Sequence, residues 1–87
     1  MPSVRIPQPM QCYTGGKELV TINGKNVRQL INELDRKYPG MKQALMDDDS
    51  LKPDVAVAID GQVTQMGLLQ PLTENNEVIF IPAIGGG

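Results

Sequence analysis

Only one stretch of this 87-residue chain has the apolar spacing of a full-length helix. Val27, Leu30, Ile31 and Leu34 fall at i, i+3, i+4 and i+7, which puts them on one helical face. Asn26 stands at the N-cap position, and Gln29 follows three residues later, the spacing of a capping box. Glu33 and Lys37 are four apart on the polar face, in the favourable order. Pro39-Gly40 ends the helix. Burying Leu30, Ile31 and Leu34 is worth about 1.5–3 kcal/mol each. A lone amphipathic helix must lay its stripe against another layer, and the rest of the chain reads as strands.

Residues 3–6 (Ser-Val-Arg-Ile) alternate in polarity as a short strand does, and Pro7 and Pro9 limit how far it can pair centrally. A loop with Thr14-Gly15-Gly16 occupies residues 11–17. Residues 18–22 (Glu-Leu-Val-Thr-Ile) are rich in β-branched side chains and read as a second strand, close enough to the first for a hairpin. Asn23-Gly24 is a turn. Residues 41–46 make a short second helical turn. Asp47-Asp48-Asp49-Ser50 is a solvated loop; it lacks the Gly and distal Glu of a calcium loop, so no metal site is expected. Residues 54–59 form a strand with Val55, Val57 and Ile59 on one face and Ala56 and Ala58 on the other. Asp60-Gly61 is a hairpin turn, and residues 62–65 return. The apolar connection 67–72 holds a 3₁₀ turn, and Asn75-Asn76 makes the last turn. Residues 77–81 are apolar on both faces after Glu77, as in a central strand. The order β-β-α-(short helix)-β-β-β predicts an α+β fold: a mixed sheet of about five strands with one main helix on one face.

Composition removes most self-contained chemistry. The chain has no His and one Cys, Cys12. Ser-His and Cys-His nucleophile pairs, His-ligated metals, Cys-rich zinc sites and an intramolecular disulfide are thereby excluded. Phosphate-binding glycine loops are missing too. A net charge of −2 gives no basic footprint for nucleic acid. There is no apolar run of membrane-spanning length and no apolar N-terminal stretch of a signal peptide, so the expected location is the cytoplasm. Cys12, in its loop, reads as an incidental thiol; the sharper alternative is a persulfide relay or a covalent partner link.

The sequence ends in Gly85-Gly86-Gly87, behind Val78–Ile81 and Pro82. Glycine is the costliest residue to order and packs no side chain. Such a tract contributes nothing to a fold, and the expected organisation is a domain over residues 1–82 and a flexible tail over 83–87.

The element order, the apolar last strand and the ending Pro82-Ala83-Ile84-Gly85-Gly86-Gly87 resemble the ubiquitin-like sulfur carriers of the MoaD/ThiS type. These include the molybdopterin synthase small subunit, the thiamine-pathway carrier and a carrier serving a cysteine synthase. Thr14-Gly15-Gly16, Tyr38-Pro39-Gly40 and Leu45-Met46-Asp47 look most like the cysteine-synthase and longer molybdopterin-type carriers. The likeness spans nearly the whole chain. It departs at Gly85, where the family often has Ala or Ser.

The resemblance implies a β-grasp fold and a reaction at the Gly87 carboxylate. That group is ionised at neutral pH and resists nucleophilic attack. In the family a ubiquitin-activating-like adenylyltransferase uses ATP to adenylate it, and a sulfur donor then leaves a thiocarboxylate. A second partner, a molybdopterin or cysteine synthase, accepts the sulfur. The carrier itself is no enzyme and binds no cofactor. Ile84, Gly85 and Gly86 are the tail residues that would enter the partner's slot. Six residues from Pro82 span at most roughly 20 Å. Ordering them costs on the order of 1–2 kcal/mol each, so the globular part must supply docking energy through an apolar patch. Phe80, Ile79, Ile81, Leu68 and Leu69 are the candidates, with Ala56 and Ala58 beside them; the sequence leaves open which strand face is outward. Two other functions stay open alongside sulfur transfer: a modifier conjugated through Gly87 to lysines, and a non-catalytic binding module.

Overall fold

In the computed structural model, which describes residues 1–82, the helix expected from the apolar spacing spans Val27–Lys37 (α1). Asn26 caps it: its side chain accepts a 2.9 Å bond from the Gln29 N–H. The return bond lands one residue further out than a capping box requires. Gln29 Oε1 accepts from the Lys25 N–H at 3.0 Å. Val27, Leu30, Ile31 and Leu34 are fully buried. On the polar face Glu33 pairs with Arg36 at 3.5 Å rather than with Lys37, whose ammonium sits 5.7 Å from the Tyr38 ring centre.

After Pro39 and Gly40 a second, shorter helix runs over Met41–Leu45 (α2). Asp35 ties the two together, because its Oδ1 accepts from the N–H groups of both Gly40 and Lys42 at 3.1 Å. Gly40 has φ +107°, and a Cβ there would lie 2.7 Å from Tyr13 Cε1. Both its backbone angle and its neighbour therefore require glycine.

Ser3–Arg5 (β1) and Leu19–Thr21 (β2) form the expected antiparallel hairpin. Between them lies a 3₁₀ helix, Gln8–Thr14, where the sequence reading placed a loop from residue 11. Pro9 stands in its first turn and Gly15, at φ 68°, ends it. Met10 and Thr14 are buried under it, and the Thr14 hydroxyl donates to the Lys17 carbonyl at 2.9 Å. Cys12 is therefore on a helical turn, exposed. The acidic loop is the turn of a small hairpin, Met46–Asp47 (β3) with Ser50–Leu51 (β4). Val55–Ile59 (β5) and Gln62–Val63 (β6) are joined by Asp60 (φ 51°) and Gly61 (φ 88°), the positive angles of a type I′ turn. A 3₁₀ turn over Gly67–Leu69 leads to the last strand, Glu77–Pro82 (β7).

The main sheet has the order β2-β1-β7-β5-β6. β1 and β7 are parallel; the other neighbours are antiparallel. β7 is central, as its apolar pattern predicted. β1 is interior too, despite the prolines that follow it, because it ends at Arg5 before they interrupt the ladder. Val4, Val20, Val57, Val78 and Phe80 carry the sheet's share of the core and pack with the buried face of α1. A mixed five-stranded sheet with its helices on one face is the β-grasp fold.

Candidate functional site: the end of the last strand and the outer sheet face

β7 is fixed at both ends of its described course. At its start, Asp60 Oδ1 accepts from the Glu77 N–H at 2.8 Å, and Asp60 Oδ2 accepts from Asn76 Nδ2 at 2.6 Å. The Asp60 N–H donates to the Glu77 carbonyl at 2.9 Å. At its end, Pro82 stands opposite Val55 of β5. Ile84, Gly85, Gly86 and Gly87 lie outside the described residues. What the structure describes is the point from which they leave: the end of a central strand.

Side-chain alternation divides β7 between core and surface. Val78 and Phe80 point inward, with Phe80 only 1% exposed. Ile79 and Ile81 point outward, and Ile81 is 43% exposed. The pairing registers continue that outer face across the sheet. Arg5 stands opposite both Leu19 and Ile79; Ala58 stands opposite both Ile79 and Val63. Leu19, Arg5, Ile79, Ala58 and Val63 therefore form one row over five strands, with Ile81 and Ala56 paired in the neighbouring row. Leu19 and Val63 are exposed, while Ala58 is buried. Arg5 is the one cation in this row, and it reaches Glu77 at 3.6 Å. Among the described residues α1 packs with the opposite, core-facing side.

Of the docking candidates read from sequence, Ile79 and Ile81 lie on this outer face. Phe80 and Leu68 are buried, so their side chains belong to the core. Leu69 is 74% exposed, but it sits on the 3₁₀ turn after β6 rather than on a strand. Sequence reasoning missed Leu19, Arg5 and Val63. For Val63 the signal was present: a two-residue turn at Asp60-Gly61 fixes the register, and the register puts Val63 on the face of Ala58.

Beside the end of β7 lies an apolar groove of about 640 Å³, with Arg5, Ile6, Pro7 and Pro9 along one wall and Ile81 and Pro82 along the other. Among the described residues no cluster of His, Cys, Asp or Glu is arranged to hold a metal ion. No helix there is long and apolar enough to cross a membrane. The surface offers an uncovered apolar sheet face next to a strand end, an arrangement suited to recognition.

Comparison with known proteins agrees with this geometry. The chain is 28% identical over 90 residues to the sulfur carrier protein CysO of Mycobacterium tuberculosis, covering 98% of this chain and 97% of that protein. The crystal structure of M. tuberculosis CysO superimposes with a TM-score of 0.88 at 26% identity, over 97% of this chain and 100% of that one. A chain of the BexX/CysO complex of Amycolatopsis orientalis has the same fold, with a TM-score of 0.93 at 24% identity and full coverage of both chains. The ThiS family model matches residues 4–87, the outer sheet face and the glycine ending included, and the chain belongs to the ThiS family.

Proposed function

We propose that this chain is a sulfur carrier whose reacting group is the carboxylate of Gly87. The observation that carries this reading is the family match itself, which runs to residue 87, on a chain whose last strand is the central one of the sheet. A partner adenylyltransferase joins the carboxylate to the AMP moiety of ATP and releases pyrophosphate. Hydrosulfide then attacks the acyl carbon, AMP departs with the electron pair of the broken C–O bond, the S–H proton goes to solvent, and a thiocarboxylate remains. Its sulfur is a soft nucleophile, available to a synthase that makes the molybdopterin cofactor or cysteine. The chain is the substrate of these steps, and the enzymes supply the catalysis.

Two parts of the molecule divide the work. Gly86 and Gly87 present no side chain to the walls of a closed active site, so the carboxylate can be taken into a narrow one. Docking comes from the outer sheet face, with Ile79, Ile81 and Val63 as its apolar contacts and Arg5 as a charged one. Burial of this face offsets the entropy of ordering the tail, about 1–2 kcal/mol per residue.

The test is intact-mass spectrometry after incubation with an activating enzyme of this type, ATP and a sulfur donor. The expected result is exchange of one oxygen for sulfur at the C-terminus. Deleting Gly87 abolishes the exchange and leaves the melting temperature unchanged. No exchange with the cognate activating enzyme overturns the reading. Lysine-linked adducts without a thiocarboxylate transfer it to a protein modifier.

A further inference from the structure

β2 ends the sheet, with β1 on one side of it and no described strand on the other. The Ile6 N–H donates to the Glu18 carbonyl at 2.7 Å, and the Ile22 N–H donates to the Pro2 carbonyl at 3.0 Å. Even-numbered residues of β2 therefore turn their backbone groups toward β1. Leu19 and Thr21 turn theirs the other way. Their N–H groups and carbonyls have no hydrogen-bond partner among the described residues. A trough runs along this open edge as two adjoining hollows of about 250 and 320 Å³, with Thr21 and Lys37 lining both. Its charge is one-sided. Lys17, Arg36 and Lys37 line it against a single carboxylate, Glu33, which is paired with Arg36 at 3.5 Å. The chain as a whole carries −2, so the sign is reversed here. Tyr13 sits against Gly40, which holds the segment leading to Lys17 beside the end of α1.

We propose that this edge is a docking site for an extended acidic segment of a partner protein, added beside β2 as a further strand. The proposal goes beyond the carrier reading and uses none of its tail residues. Main-chain bonds to Leu19 and Thr21 supply the pairing, as in other cases of strand addition. An apolar side chain of the segment meets the Tyr38 ring, which lines the trough. Carboxylates on either side of it meet Lys17, Lys37 and Arg36. These cations select the partner, because a lysine-rich segment is repelled. The edge is only three residues long, so the hold is weak and reversible. β1 separates it from β7, so a chain held here still presents Ile79 and Ile81 to an activating enzyme.

The test titrates the full chain with a capped peptide, Val-Thr-Val flanked on each side by two aspartates, and follows backbone amides by NMR. The Leu19 and Thr21 amides are expected to shift downfield and to exchange more slowly with solvent. The same peptide with lysines for the aspartates is expected to bind roughly tenfold or more weakly. Raising the salt from about 0.05 to 0.5 M is expected to narrow that gap. Lys17 and Lys37 are exposed, and Lys17→Glu combined with Lys37→Glu is expected to reverse the preference with the fold intact. Thr21→Pro removes an outward N–H without breaking a ladder bond; it is expected to abolish the Leu19 shift and leave the signals of α1 in place. No shift of either amide overturns the proposal and leaves the lysines as guards of a bare edge. Equal binding of the two peptides overturns it too, as do shifts confined to Ile79, Ile81 and Val63. Shifts that grow with protein concentration before any peptide is added overturn it in favour of a second copy at the edge. No sulfur or activating enzyme enters these readouts, so they succeed or fail separately from the mass exchange that tests the carrier reading.

Discussion

Asp60 accepts a 2.8 Å hydrogen bond from the backbone N–H of Glu77. Asp60 is itself a turn residue with φ 51°, so one residue turns the β5–β6 hairpin with its backbone and holds the start of the last strand with its side chain. Asp60→Ala removes the acceptor at a left-handed position and is expected to destabilise the fold by about 1–3 kcal/mol. Asp60→Asn keeps an oxygen and tolerates that backbone angle, and is expected to cost less than about 1 kcal/mol. Urea unfolding midpoints check the pair; equal losses would mean that the acceptor is not what matters.

Leu34 is fully buried in the stripe of α1. Leu34→Ala leaves a void between helix and sheet and is expected to cost about 2–5 kcal/mol. Thermal unfolding followed by circular dichroism measures it. Below the lowered melting temperature, sulfur loading is expected to continue, because Leu34 lies in neither the tail nor the outer face.

Gly40 meets the Tyr13 ring at 2.7 Å from the position a Cβ would take, and has φ +107°. Gly40→Ala is expected to cost about 1–3 kcal/mol through backbone strain, with the clash in addition. Adding Tyr13→Ala should recover the clash but not the strain. A double-mutant cycle on unfolding free energies separates the two.

Ile81 and Phe80 are chain neighbours that face opposite sides of the sheet, and their variants should fail differently. Ile81→Asp is expected to weaken binding to the activating partner tenfold or more, about 1.4 kcal/mol, with little change in folding. Val63→Asp should act in the same way, since it shares that face. Phe80→Ala is expected to cost about 3–5 kcal/mol of stability. Titration calorimetry alongside unfolding curves distinguishes these outcomes.

Features set by neighbouring residues were readable from the chain alone. The spacing of Val27, Leu30, Ile31 and Leu34, the Asp60-Gly61 turn and the double-sided apolar pattern of β7 each express a local periodicity or dihedral requirement. What escaped depends on contacts distant in sequence. Gln8–Thr14 looks like a loop because Pro7, Pro9 and the following glycines break patterns; its helical turn is held by burial of Met10 and Thr14. β1 became interior because three residues suffice for pairing when the prolines lie just beyond. Phe80 and Leu68 were grouped with Ile79, Ile81 and Leu69 as surface candidates because a fully apolar strand or turn does not disclose which side faces the helix. Register across five strands decides that, and it also brings Leu19, Arg5 and Val63 into one row.

The parallel pairing of β1 with β7, and the antiparallel pairing of β5 on the other flank, have a mechanical consequence. Traction applied at the carboxyl end runs along β7, so its ladder bonds are loaded together in shear rather than peeled one after another. Tension on the tail would be borne by the middle of the sheet. An enzyme drawing in the last residues could therefore pull against a firm anchor without unravelling the domain behind it.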